Sequence, residues 1–409
     1  MKLNFLFRLI FLILLFVSPF TFSDLLIRNA TIHTASSEGT LMGYDILIKG
    51  KKIVRIQKNI INNTKVTELD AEGKFISPGI ISPNSQIGIL EIELVPETRD
   101  DQTDIYSAGF TIDSAFNPFS TLIPHNRSAG VTMTISSPSS GDVFIGLSSA
   151  FLLNGSLENS LIKSSMAMIA EISSGEDSRA SKILFLKDAL IMASNFDIDN
   201  IEASSAQLPS NYYLAIRDIE ALRRVMNKSI PLIVKADRAS DILEMIDLSK
   251  KLDFRLVIMG GKEAWMVADE IASNKVPLII QPIDNIPSSF NSLGARLDNA
   301  SILSKSGVQL IFAAHEWSSH NSYLSRQGAG IAVSYGLPWE EALRAITANI
   351  AEVFNLEKRG SLKEGNYADI VLWDGDPLEV TSFAEKIYIE GVEFSNKSRA
   401  SKLKERYLN

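Results

Sequence analysis

Residues 230–280 read IPLIVKADRASDILEMIDLSKKLDFRLVIMGGKEAWMVADEIASNKVPLII, and the alternation in this stretch sets the fold class. Ile230–Val234 is a continuous apolar run of the kind buried on both faces of a sheet. Ser240–Leu252 then places Ile242, Leu243, Ile246, Leu248 and Leu252 at helical spacing. Arg255–Met259 is the next strand, Glu263–Ser273 the next helix, and Val276–Ile280 the strand after it. Strands and helices in this order predict parallel βαβ units, an α/β fold. Further along, Val308–Ala313 continues the series. Pro338 opens a helix with Glu340 and Glu341 in its first turn, the charge sign that a helix N-terminus favours. Its apolar stripe is Leu343, Ile346, Ile350 and Val353. A closed (β/α)8 barrel and an open doubly wound sheet both satisfy this alternation.

Both ends of the chain read differently. Leu25–Arg28, Asp45–Lys49 and Lys52–Gln57 are short strands, with Gly43, Gly50 and Asn62–Asn63 as turn residues. Ala368–Trp373 and Lys386–Glu390 are strand-like too, punctuated by Gly365, Gly375, Pro377 and Gly391. Two β-rich ends around an α/β middle imply one small β-sandwich domain assembled from residues 24–76 and 359–395. A barrel then spans 77–358 and a tail 396–409.

Ahead of these lies a leader. Lys2 and Arg8 flank an apolar run, Leu9 to Val17, and Thr21 and Ser23 stand at cleavage-like spacing. This is the pattern of a secretory signal peptide over residues 1–23, and the run is short for a span of about 20 residues. The expectation is export, with a periplasmic location, and no membrane span once the leader is cut; an uncleaved anchor is the alternative. Removing Lys2 and Arg8 takes the formal charge from −8 to −10, so a broad basic surface for nucleic acid is excluded. The chain has no cysteine, which excludes disulfides, thiolate zinc sites and cysteine nucleophiles. With 45% hydrophobic and 22% charged residues it has ordinary globular composition, enough for a large core.

Three segments choose between the closures. Ser77–Gly88 (SPGIISPNSQIG) resembles the first barrel strand of the amidohydrolase superfamily, usually PGLIDAHTHIG. Ser361–Pro377 (SLKEGNYADIVLWDGDP) is similar to that superfamily's return into its small β domain, and Leu337–Leu356 to its last barrel helix. The imidazolonepropionase-like hydrolases of cyclic amides are the group resembled most. The resemblance implies a TIM-like (β/α)8 barrel and hydrolysis of carbon–nitrogen bonds in non-peptide amides. It also implies a zinc or similar divalent ion at the barrel mouth. In such members the ion is held by His-x-His on the first strand, by histidines on two later strands, and by an aspartate on the last. The ion lowers the pKa of bound water to about 7, and the aspartate acts as general base.

Residue by residue, this chain departs from that pattern. Asn84 and Gln86 stand at the His-x-His positions, Lys235 and Lys262 at the later histidines, and His315 at the aspartate. Amides are poor zinc ligands and a protonated lysine repels a divalent cation, so no metal cofactor is expected. Two readings of the lysines stand side by side. Either an ammonium replaces the ion and neutralises nearby carboxylates, or both lysines are solvated around an inert cleft. Asp237, Glu263, Glu316, Glu91 and Glu93 are the candidate acids by position. His315-Glu316-Trp317-Ser318-Ser319-His320 mimics a zinc-protease helix, but its histidines are five apart where one helical face needs four. His125 is read in a loop, and the acidic stretch Glu91–Asp104 either as a solvated face or as a functional βα loop.

The sequence therefore carries two functional expectations. One is an exported amidohydrolase-family hydrolase. The other is a non-catalytic pseudoenzyme barrel that binds a small-molecule ligand or a partner protein, with a homodimer as a further possibility. Metal-free acid–base catalysis by Asp237 or Glu263 beside a lysine is a third reading.

Overall fold

Gly79 marks the point where the chain leaves one sheet and enters another. The computed structural model describes residues 24–62, 65–173, 177–195, 214–314 and 321–408. The expected leader, His315, Glu316 and His320 lie outside the described residues. Strands β1 (Leu25–His33), β2 (Thr40–Lys49), β3 (Lys52–Gln57), β4 (Thr67–Asp70) and β5 (Phe75–Pro78) come from the N-terminal part. They join three late strands, β14 (Ile370–Trp373), β15 (Ala384–Ile389) and β16 (Val392–Phe394), in one mixed sheet ordered β16-β15-β14-β5-β1-β2-β3, with β4 on β1. Leu25, Ile27, Ile46, Ile48, Ile370 and Leu372 are part of its separate apolar core.

The second sheet begins at β6 (Ile80–Ser85) and runs through β7 (Val131–Ser136), β8 (Phe144–Leu152), β9 (Leu161–Glu171), β10 (Leu232–Ala236), β11 (Leu256–Gly260), β12 (Leu278–Ile280) and β13 (Leu310–Phe312), in that spatial order. Helices α1 (Leu122–Arg127), α2 (Arg179–Asn195), α3 (Ile216–Met226), α4 (Ala239–Leu252), α5 (Ala268–Ser273), α6 (Asn299–Lys305), α7 (Leu324–Ser334), α8 (Trp339–Ala345) and α9 (Ala348–Val353) intervene or follow. The expected α/β barrel is thus present, as a nearly closed eight-stranded sheet. Its one irregularity is β8, which runs antiparallel to both β7 and β9, while the other neighbours pair in parallel. All nine residues of β8 are buried. Without a polar face to alternate with, its sequence does not reveal its direction.

Local departures have local causes. The single helix expected from Pro338 is two, α8 and α9. They break at Thr347, whose Oγ1 donates to the Leu343 carbonyl at 2.6 Å and competes with the helix ladder. His125 sits in α1, not in a loop, because Pro124 falls in the first turn, where a missing N–H costs nothing. Between the two sheets, Trp373 is fully buried and its Nε1 donates to Ser77 Oγ at 2.9 Å. Gly130 (φ +94°) lies under that ring; a Cβ there would come within 2.4 Å of it.

Candidate functional site at the barrel mouth

Parallel strands β9 and β10 pair with Glu171 opposite Lys235, so both side chains leave the same face of the sheet. There the Lys235 ammonium lies 3.2 Å from Glu171 Oε2, and Ser173 Oγ donates to Glu171 Oε1 at 2.8 Å. Both partners are mostly shielded, with side-chain exposures of 22% and 15%. An ion pair at that depth is screened less than a surface pair and costs more to break. The Lys235 ammonium thus faces Glu171, an acid that the sequence reading does not name. Glu171 is the last residue of a barrel strand, the place where site residues of such barrels are found. That positional rule would have found it once β9 had been read.

Lys235 and Glu171 line a cavity of about 370 Å³ together with Asn84, Gln86, Asp237 and Lys262. Asn84 is the penultimate residue of β6, and Gln86 follows the strand, its Nε2 donating to the Ser137 carbonyl at 3.2 Å. Asp237 Oδ1 accepts the Lys262 backbone N–H at 3.3 Å. Gly260, with φ +104°, makes that turn possible, since a Cβ would stand 2.6 Å from the same oxygen. The Lys262 ammonium donates to Ser288 Oγ at 3.2 Å. Glu263 is turned to other work: its carboxylate accepts the Ala239 N–H at 3.3 Å and the Gly294 N–H at 3.0 Å, and it does not line the cavity.

The acidic stretch after β6 is more than a solvated face. Asp101 is fully buried and accepts two bonds from Arg99, Nε at 3.2 Å and Nη2 at 3.0 Å, with Ser139 Oγ as a further donor. The hydrogen bond and charge of Asp101 push the Arg99 guanidinium above the ordinary arginine value. Arg99, Glu93, Gln102 and Ser139 form the opposite wall. Sequence reading placed the charges on this loop but not the Arg99–Asp101 clasp, which needs the turn geometry to be seen.

A divalent ion needs imidazoles, thiolates or carboxylates in a convergent set. The described positions offer two amides, one ammonium already holding Glu171, and a second ammonium. Among the described residues no three His, Asp or Glu side chains converge. This donor set does not fit the ion that the resemblance implies. What it can do is present hydrogen-bond donors and acceptors of both charge signs to a small polar molecule.

Comparison with known proteins follows the same lines. The model of the amidohydrolase family matches residues 215–400. Over 426 aligned positions the chain is 23% identical to the amidohydrolase tasK of Hapsidospora irregularis, covering 90% of this chain and 42% of that protein. The chain thus spans about two-fifths of the length of that curated relative. Among solved structures, an amidohydrolase from Thermotoga maritima superposes with a TM-score of 0.81 at 24% identity, over 91% of this chain and all of that one. L-Hydantoinase (dihydropyrimidinase) from Arthrobacter aurescens superposes at 0.54 with 14% identity, over 92% of this chain and 97% of that one.

Proposed function

We propose that this chain, an amidohydrolase-superfamily barrel, has exchanged its metal centre for a protein-borne cation and serves as an exported binding barrel for a small polar ligand. One observation carries the reading: the Lys235–Glu171 ion pair in the barrel mouth, at a position where the resemblance calls for a metal-binding histidine. An ammonium there neutralises the carboxylate without any ion, and it supplies no water of lowered pKa to attack an amide. The amides of Asn84 and Gln86 leave the mouth polar but nearly neutral, suited to holding a ligand through hydrogen bonds. Export is supported by Lys2, Arg8 and the apolar run Leu9 to Val17. Among the described residues no helix is long and apolar enough to cross a membrane.

The competing reading is the family's usual one, metal-assisted hydrolysis of a non-peptide carbon–nitrogen bond. The names of its relatives, amidohydrolase and L-hydantoinase, favour it. Thermal unfolding with and without chelator separates the two. A metal site filled at a hundred times its dissociation constant adds about 2.7 kcal/mol, which is a shift of several degrees. The binding-barrel reading expects no shift with EDTA and no turnover of hydantoins or acyl amides with added zinc. A clear EDTA-dependent drop would return the metal hydrolase to first place. For export, the mature N-terminus in an envelope fraction is expected at Asp24.

A further inference from the structure

Helix α10 (Arg399–Leu408) occupies the segment expected to be a tail, and none of its residues is buried. Ser401 is its least exposed residue and turns toward the body of the protein. At about 100° per residue, Leu403 and Tyr407 lie one turn apart on a face pointing away from Ser401. They are 38% and 79% exposed. Arg399 and Arg406 fall on one flank of this stripe and Lys404 on the other, all exposed. The helix's one carboxylate, Glu405, is tied to Lys397 at 2.7 Å, on the side away from the stripe. Lys397, Arg399, Lys402, Lys404 and Arg406 thus concentrate positive charge on a chain whose net charge is −8.

An outward apolar stripe flanked by long cationic side chains is the arrangement of a helix lying in a bilayer interface: the apolar residues enter, and the cations reach headgroup phosphates. A nucleic acid would answer the charge but leave Leu403 and Tyr407 uncovered. A second copy of the helix would answer the stripe but set cation against cation. We propose that α10 is a docking element for the surface of an anionic phospholipid bilayer, independent of the barrel-mouth cavity.

The test uses the full chain and sedimentation with vesicles of phosphatidylcholine alone or mixed equally with phosphatidylglycerol. Any contribution of residues 1–23 is then common to every variant compared. Each cation near an anionic surface contributes about fivefold in affinity, so the wild type should prefer the mixed vesicles by more than about tenfold, and less at high salt. Lys404→Glu with Arg406→Glu should abolish that preference. Leu403→Ser with Tyr407→Ser should weaken binding to both vesicle types. The charge-reversal pair should not shift the unfolding temperature, because both cations are exposed. Equal binding to the two vesicle types, or binding unchanged by both pairs, would overturn the proposal. So would capture of RNA without vesicle binding, which would assign the cations to a polyanion.

Discussion

Glu171→Gln is the sharpest perturbation of the barrel mouth, because it keeps the side chain's shape while removing its charge and one acceptor oxygen. At 3.2 Å the two charges attract by about 5 kcal/mol at an effective dielectric of 20, before desolvation is subtracted. Both groups keep some contact with solvent, so the loss lies nearer that of a charge-assisted hydrogen bond, about 1.5–3 kcal/mol. At about 2 °C per kcal/mol for a domain of this size, the unfolding temperature should fall by about 3–6 °C. Lys235→Met should cost a similar amount, since it removes the ammonium that faces the Glu171 carboxylate. The double variant decides the matter. If the two side chains act as a pair, Glu171→Gln with Lys235→Met should be destabilised by at least about 1 kcal/mol less than the sum. The assay is thermal unfolding by circular dichroism at neutral pH, on all four proteins side by side. Additivity within about 0.5 kcal/mol, or a silent Glu171→Gln, would refute the claim that the pair organises the mouth.

Three further expectations come from other parts of the fold. His33 is buried, stacked on Phe75 and 4.3 Å from the Trp339 ring, and burial pushes its pKa below 6.5 against the pull of Glu340 and Asp376. The unfolded chain therefore binds a proton more readily. The stability His33 confers is complete above about pH 6.5 and is lost as pH falls toward its depressed folded value. Unfolding temperatures at pH 7.5 and 5 should diverge more for the wild type than for His33→Gln; equal divergence would contradict this. Arg326 is 9% exposed and donates to the carbonyls of Pro377, Glu379 and Ser382 at 3.2, 2.9 and 3.1 Å. All three bonds come from Nη1, so Arg326→Met should cost about 3 kcal/mol by stranding three acceptors; an unchanged unfolding temperature would contradict this. Gly260→Ala should cost about 1–3 kcal/mol through its φ of +104° and the crowding of Asp237; an unchanged unfolding temperature would show that the turn tolerates a side chain.

The fold was legible where the hydrophobic period was clean. Strands expected at Ile230–Val234, Arg255–Met259 and Val308–Ala313 appear at Leu232–Ala236, Leu256–Gly260 and Leu310–Phe312, within two residues. The helix expected at Ser240–Leu252 is Ala239–Leu252. The meander from β7 to β9 was not legible, because strands buried on both faces carry no alternation from which a direction can be read. That gap hid Glu171, the partner that gives Lys235 its role. Of the positions named from sequence, Asn84, Gln86, Lys235, Lys262 and Asp237 converge on one cavity. Motif alignment could place them because each follows a recognisable strand end. It could not foresee that Glu263 would be spent on two backbone N–H groups, since that depends on the approach of Gly294 from a loop 31 residues away.

The measurement that bears most directly on the central claim is the metal content of the protein purified without chelator, by inductively coupled plasma mass spectrometry. With Lys235 and Glu171 neutralising each other, less than about a tenth of an equivalent of any transition metal is expected, since structural sites that exist are filled nearly to stoichiometry. One or two bound equivalents would contradict it and give the barrel mouth back to a metal hydrolase.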